Sequence, residues 1–323
     1  MPPTASARDS ATPLVFMRRP PMASSFPKWT IFLLLALAAT QLAAAPASAQ
    51  APPTYYLSLG DSLSVGRQPD SRGSSHSTTS GYVETVTRGL SQRSGASVQA
   101  IKLGCGGTTG TALNGPTCNS HLPGSSQVAQ AERFLKSHPG QVALVTIQIG
   151  DNDVEGCVSP SGIPQGCVDY GMRTLSKNLP VIVGRIRGAA GAHVPVVGVS
   201  DYDQFLAYYL RGGASRRVAL ASVGFLGRLN STMGAIYRHA GVGVADASGR
   251  FATRSVHHFV SLAGHGRVPF AVARICQWTW ACSGPPIGFN DHANTAGYHA
   301  IGLSILHAFD LLAPPSSGGA SAP

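Results

Sequence analysis

Hydrophobic and polar positions alternate in a repeating order along most of the chain. Five short apolar runs rich in β-branched residues, Tyr55–Leu59, Val98–Leu103, Val142–Ile149, Val194–Val199 and Val242–Ala245, read as strands. The third, VALVTIQI, is apolar nearly throughout, the pattern of a strand covered on both faces. Longer stretches at Tyr82–Gln92, Ser126–Ser137, Met172–Gly188, Arg216–His239 and Ala296–Leu312 read as helices. Strand-helix alternation of this kind predicts an α/β fold, a three-layer α/β/α sandwich with a central parallel five-stranded sheet. In such sheets the working residues gather in loops beyond the carboxyl ends of the strands.

The two ends of the chain break this order. Arg18, Arg19 and Lys28 precede the apolar run Ile31–Ala39, and Ala47-Ser48-Ala49 follows it as a small-x-small site. That succession predicts a secretory signal peptide over residues 1–49 and a secreted, extracellular protein. The run is short for a bilayer span, so no stable membrane anchor is expected after cleavage. Residues 314–323 (PPSSGGASAP) read as a flexible tail. Residues 50–313 are left as one domain, long enough for a sizeable core. No repeat suggests a second domain, and a monomer is expected.

Composition narrows the function classes. The formal charge of +10 falls to +7 without residues 1–49, which hold Arg8, Arg18, Arg19, Lys28 and Asp9. The remaining charges are scattered, and nucleic-acid binders concentrate theirs, so no nucleic-acid partner is expected. Six cysteines in an exported chain point to disulfides. Six allow fifteen pairings, but their grouping favours Cys105–Cys118, Cys157–Cys167 and Cys276–Cys282. No C-x-x-C pair supports zinc, and neither metal nor organic cofactor is expected.

The segments just beyond the strands carry the chemistry. Gly60-Asp61-Ser62-Leu63 follows the first, and a serine at a tight strand-to-helix turn suits a nucleophile with an oxyanion at its own N–H. The plainer reading is that Asp61 and Ser62 cap the next helix. Gly104-Cys105-Gly106-Gly107-Thr108-Thr109-Gly110 follows the second, where glycines let backbone N–H groups approach a ligand. It is neither a dinucleotide fingerprint nor a phosphate loop, and a disulfide-pinned turn would account for it equally. Gly150-Asp151-Asn152-Asp153 follows the third and offers an amide donor, or simply an Asx turn. Before the last helix stands Asn290-Asp291-His292-Ala293-Asn294, with His292 a candidate general base or one surface histidine among eleven.

Together the four blocks resemble the SGNH, or GDSL, hydrolase superfamily, in order and over nearly the whole stretch from Tyr55 to about Leu312. The Asp203–Ala207 stretch, Cys276–Trp280 and the three close cysteine pairs are similar to secreted actinobacterial esterases and lipases of that family. The resemblance implies the flavodoxin-like SGNH hydrolase fold and a serine esterase or lipase acting on lipids, acylated glycans or small esters. It implies Ser62 as nucleophile, His292 as general base, and Ser62, Gly107 and Asn152 as the oxyanion hole. An acyltransferase or a carbohydrate O-deacetylase of the same fold is the alternative, and a non-catalytic surface-binding module a further one. One position departs from the family. The aspartate usual three residues before the histidine is Phe289 here, which leaves adjacent Asp291, or a backbone carbonyl, to orient His292. Tyr202, Phe205, Tyr208, Tyr209 and Leu210 are candidates either for a substrate pocket or for the core.

Overall fold

The computed structural model describes residues 54–108 and 117–312. The signal peptide and C-terminal tail read from the sequence lie outside those residues, as does Gly110 of the glycine-rich turn.

Five parallel strands form the central sheet: β1 (Tyr55–Gly60), β4 (Gln99–Lys102), β5 (Val142–Gln148), β6 (Val196–Val199) and β7 (Gly243–Ala245). Their order is β4-β1-β5-β6-β7. β1 pairs with β4 on one side and β5 on the other, Leu57 standing opposite both Ile101 and Val145. The strand order therefore reverses at β1 and β5, the place where open α/β sheets leave a crevice at their carboxyl ends. β5 is buried almost end to end, as its unbroken apolar run requires.

Helices cover both faces. α1 (Tyr82–Ser94) packs against α7 (Thr295–Leu312), while α2 (Gln127–Ser137), α3 (Gln165–Ala190) and α4 (Gly213–His239) pack in series. The core is continuous and includes four fully buried tyrosines, each with its hydroxyl bonded. Tyr56 reaches Thr146 Oγ1 at 2.9 Å, Tyr82 reaches Ser58 Oγ at 3.2 Å, and Tyr237 donates to Ile147 O at 3.4 Å. Tyr298, on α7, donates to Arg67 O at 2.8 Å, tying the last helix to the turn that follows β1.

Several elements differ from the sequence reading. α3 begins at Gln165 rather than Met172, because its first turn, QGCVDYG, carries two glycines and a cysteine and reads as loop by composition. A hairpin of β2 (Arg67–Pro69) and β3 (Ser75–Ser77) follows Ser62 where a helix was expected. A second hairpin, β8 (Phe259–Leu262) with β9 (Gly266–Pro269), precedes α6 (Phe270–Trp278). A short helix, α5 (Ala247–Arg250), follows β7. These pieces are too short for a hydrophobic period to declare itself.

Candidate active site

Gly60 ends β1 with φ +156°, and a Cβ there would fall 2.5 Å from Gln148 O, so the position accepts only glycine. The turn beyond it is closed by short hydrogen bonds. Leu63 N–H donates to Asp61 Oδ1 at 2.9 Å, Ser64 Oγ donates to Asp61 O at 2.7 Å, and Arg67 N–H donates to Ser62 O at 3.0 Å. Asp61 thus caps a turn, not a helix, and Ser62 is left half-buried at its tip. Buried Gln127, at the start of α2, clamps Gly60 on both sides: it accepts from Gly60 N–H at 2.9 Å and donates to Gly60 O at 3.1 Å. Its amide also donates to Thr108 Oγ1 at 3.2 Å, joining the β1 turn to the glycine-rich turn.

The end of β5 repeats the device. Gly150 has φ +152°, and a Cβ there would meet Met233 Sδ at 2.8 Å. The 3-10 turn Asp151–Asp153 comes next, and Asn152 Nδ2 donates to Asp61 Oδ2 at 3.1 Å. One carboxyl therefore holds both the serine turn and the asparagine.

His292 lies in the segment entering α7. Trp280 N–H donates to His292 O at 3.0 Å beside an isolated bridge between Thr279 and Ala293, and Tyr202 Oη donates to Asp291 O at 2.7 Å. The imidazole is only 12% exposed. Its Nδ1 lies 2.9 Å from Asn290 Oδ1 and 3.1 Å from Asp291 Oδ1. His292 N–H also donates to Asn290 Oδ1 at 3.1 Å. A backbone N–H can only donate, so the Asn290 atom facing it is the oxygen, and the ring nitrogen beside the same oxygen must carry its proton. Nε2 is then the free, basic nitrogen. Asn290 Nδ2 in turn donates to Ser75 Oγ on β3 at 3.0 Å.

Ser62, Asn152, Asp291 and His292 line a single narrow cavity, with Leu63, Tyr202 and Gln204 among the other walls. Ser62 and His292 share that cavity without a hydrogen bond between them. Gly107 is not on the wall; it has φ +74° with open space around it. A Cβ on Gly106 would stand 3.9 Å from Ser62 Cβ, so Gly106 is the glycine of that turn brought close to the serine. Disulfides join Cys105–Cys118, Cys157–Cys167 and Cys276–Cys282. Of the aromatics after β6, Tyr202 reaches the cavity, whereas Phe205, Tyr208 and Tyr209 are buried in the core. Among the described residues no group of three or more His, Cys, Asp or Glu is placed to hold a metal ion.

Residues 58–300 match the GDSL-like lipase/acylhydrolase family, three quarters of the sequence in one span. The chain belongs to that family. It is an ester-hydrolysing enzyme. Solved structures similar to this GDSL hydrolase include a lipase from a goat rumen metagenome (15% identity, TM-score 0.49, 79% of this chain and 97% of that one). Two others are a phospholipase A1 from Streptomyces albidoflavus NA297 (20%, 0.48, 81% and 100%) and an acetyl xylan esterase from Geobacillus stearothermophilus (14%, 0.46, 80% and 95%). No curated protein matches the sequence.

The GDSL hydrolase surrounds its cavity with carboxyls that sequence inspection does not connect. Asp61, Asp151, Glu155, Asp201 and Asp291 all line it, from four different segments. Burial pushes Asp61 up to about 8 and Asp201 to about 7, and raises Asp151 as well, with Asp201 beside it adding to the effect. Burial, with Asp151 and Asp291 nearby, pushes Glu155 up to about 11, so it keeps its proton. Burial works to raise Asp291 too, but hydrogen bonds from His292 and Glu155 outweigh it and hold that carboxyl below the usual range. One ionised carboxylate thus remains against the imidazole while its neighbours tend to neutrality. Gln148 Nε2 donates to Asp201 Oδ1 at 2.6 Å and Gln204 Nε2 to Asp151 Oδ2 at 2.8 Å, spacing the acids apart. Asn290, Gln127, Glu155 and Asp201 are the site residues that sequence reasoning missed. An asparagine two positions before the histidine was the only signal for any of them.

Proposed function

We propose that this protein is a secreted serine esterase or lipase that passes an acyl group through Ser62 to water. The observation that carries the reading is the convergence of Ser62, Asn152 and His292, from three segments far apart in sequence, on one cavity, with His292 protonated at Nδ1 and basic at Nε2. In this mechanism His292 Nε2 takes the Ser62 hydroxyl proton as Oγ attacks the ester carbonyl carbon. The tetrahedral oxyanion is received by the N–H group of Ser62 and by Asn152 Nδ2, which Asp61 aims. Collapse breaks the carbon–oxygen bond to the alcohol, which leaves with the proton held on His292. A water deprotonated by His292 then attacks the acyl-enzyme, and the carboxylic acid departs as Ser62 recovers its proton.

Export is part of the same proposal. The tripartite leader over residues 1–49 supports it, as do three disulfides, which persist in oxidising compartments.

The test is release of p-nitrophenol from acetyl and octanoyl esters by the purified, oxidised protein and its Ser62→Ala variant. Ser62→Ala is expected to lower kcat by about 10⁴-fold or more. A variant that keeps the wild-type rate would remove Ser62 from the mechanism. The ratio of the two wild-type rates separates an esterase from a lipase.

A further inference from the structure

Ser62 stands between two regions of unlike character. Toward His292 is the narrow acidic cavity, where Asp291 keeps its charge. On the other side, beyond Gly106, opens a cleft of about 720 Å³ lined by Arg67, Lys102 and His121 together with hydroxyl and amide groups such as Thr78, Asn119 and Ser120. No acidic residue lines it among the described residues.

The cationic groups are not equivalent. Lys102 forms an ion pair with Glu84 and donates to Thr78 O at 3.0 Å, so its charge is already matched. The Arg67 guanidinium has no hydrogen-bond or ion-pair partner among the described residues. Its backbone is nonetheless fixed at both ends, by Arg67 N–H donating to Ser62 O at 3.0 Å and Tyr298 Oη donating to Arg67 O at 2.8 Å. The point where a Cβ on Gly106 would sit lies 3.2 Å from Arg67 Nη1 and 3.9 Å from Ser62 Cβ. A guanidinium without a partner among the described residues is thus presented by the same turn that presents the serine, with Gly106, which has no side chain, between them.

We propose that this cleft is the subsite for the leaving alcohol, and that the alcohol is a hydroxylated compound bearing a carboxylate or phosphate that pairs with Arg67. The proposal rests on the serine-hydrolase reading above and names the substrate class of that site. Guanidinium geometry matches the two oxygens of either anion. The hydroxyl and amide groups among its walls offer hydrogen bonds to a polar alcohol. The ionised Asp291 on the opposite side disfavours the reverse orientation.

The experiment compares ester pairs that differ only in charge: 4-acetoxybenzoate against its methyl ester, and acetylated glycerol 3-phosphate against monoacetylglycerol. The readout is the charged-to-neutral ratio of kcat/KM in wild type, Arg67→Gln and Arg67→Lys, which cancels the intrinsic reactivity of each ester. Arg67→Gln is expected to lower the ratio about fivefold, chiefly through KM, the size of a half-exposed ion pair. Arg67→Lys should keep part of it, and high salt should lower the wild-type ratio likewise. A loss confined to one pair supports the proposal and identifies the anion as carboxylate or phosphate. A ratio that Arg67→Gln and salt both leave unchanged, with neutral esters still hydrolysed, overturns the subsite alone. Absence of turnover for all four esters overturns the subsite alone if p-nitrophenyl acetate or octanoate is still cleaved, and the hydrolase reading with it if neither is. If Arg67→Gln does not fold, the salt response of the wild-type ratio decides.

Discussion

At the scale of single residues, the tautomer of His292 is set by an uncharged neighbour as much as by a charged one. Asn290 Oδ1 accepts from both the backbone N–H and Nδ1–H of His292, and Asn290 is itself braced by Ser75. Asp291 adds a carboxylate at 3.1 Å from the same nitrogen. With two acceptors on one proton, removing either should do less than losing the only orienting group, which costs about 10⁴ in kcat elsewhere. Asn290→Leu is expected to lower kcat on p-nitrophenyl acetate by roughly tenfold to a hundredfold, with KM little changed. Asn290→Asp tests the arrangement differently. A second carboxylate there favours the imidazolium over the neutral ring, so the acidic limb of the kcat/KM profile should move to higher pH. An unmoved profile would mean that Asn290 does not face the working histidine. The sequence made Asp291 the natural suspect because carboxylates orient histidines in related enzymes. The Asn290 side chain is turned to the ring by the fold of its loop and by a hydroxyl 215 residues away.

At the scale of elements, two strand ends and one helix start build the site. β1 ends in Gly60 and β5 is followed two residues on by Gly150, both with φ near +150°, and each then turns a functional side chain toward the crevice between them. α2 contributes through Gln127, whose amide accepts from the Gly60 N–H and adds a second donor to the Gly60 C=O beside the Cys105 N–H. Gln127→Leu takes the side-chain partner from the buried Gly60 N–H, at about 1–3 kcal/mol, while Gly60 O keeps the Cys105 N–H at 3.0 Å. The expected loss appears as a lower urea midpoint with an unchanged m-value, accompanied by slower turnover as the serine turn loosens. The strand ends were legible because buried parallel strands are long apolar runs stopped by glycine. Gln127 was not legible, since one glutamine in an amphipathic helix carries no mark of what it will meet. The β2–β3 hairpin was likewise silent, its strands being three residues of mixed polarity.

At the scale of the whole molecule, buried carboxyls in and behind the cavity wall couple stability to pH. Asp61, Asp201 and Asp203 are pushed by burial to about 8, 7 and 7, above the ordinary carboxylate range near 4. Between those limits the folded protein holds protons that the unfolded chain releases. Stability from these groups is therefore fully present below about pH 4 and is lost as pH rises toward about 8. Over the range from about pH 5 to pH 8.5, Tm is expected to fall, and Asp201→Asn should flatten the slope because an amide does not titrate. A wild-type Tm that rises across this range would contradict the argument. The disulfides bear on stability more uniformly. Each closes a short loop, with separations of 13, 10 and 6 residues, and contributes about 2–3 kcal/mol in the chain-entropy account. Reduction under native conditions should lower Tm at every pH without altering its slope.

The sequence by itself determined the alternation of strands and helices, the parallel sheet, and the presence of Ser62, Asn152 and His292 in three segments flanking the sheet. Each of these is written in local pattern: burial on both faces makes a strand apolar, a glycine stops it, and the loop beyond is where a parallel sheet leaves space. Tertiary structure alone decided that Asn290 holds the imidazole, that Gln127 clamps the nucleophile turn, and that five carboxyls share one cavity. It also decided that the Arg67 guanidinium stands near the serine without a hydrogen-bond or ion-pair partner among the described residues. Those relations depend on distances between residues tens to hundreds of positions apart. Packing sets such distances, and no local periodicity records them.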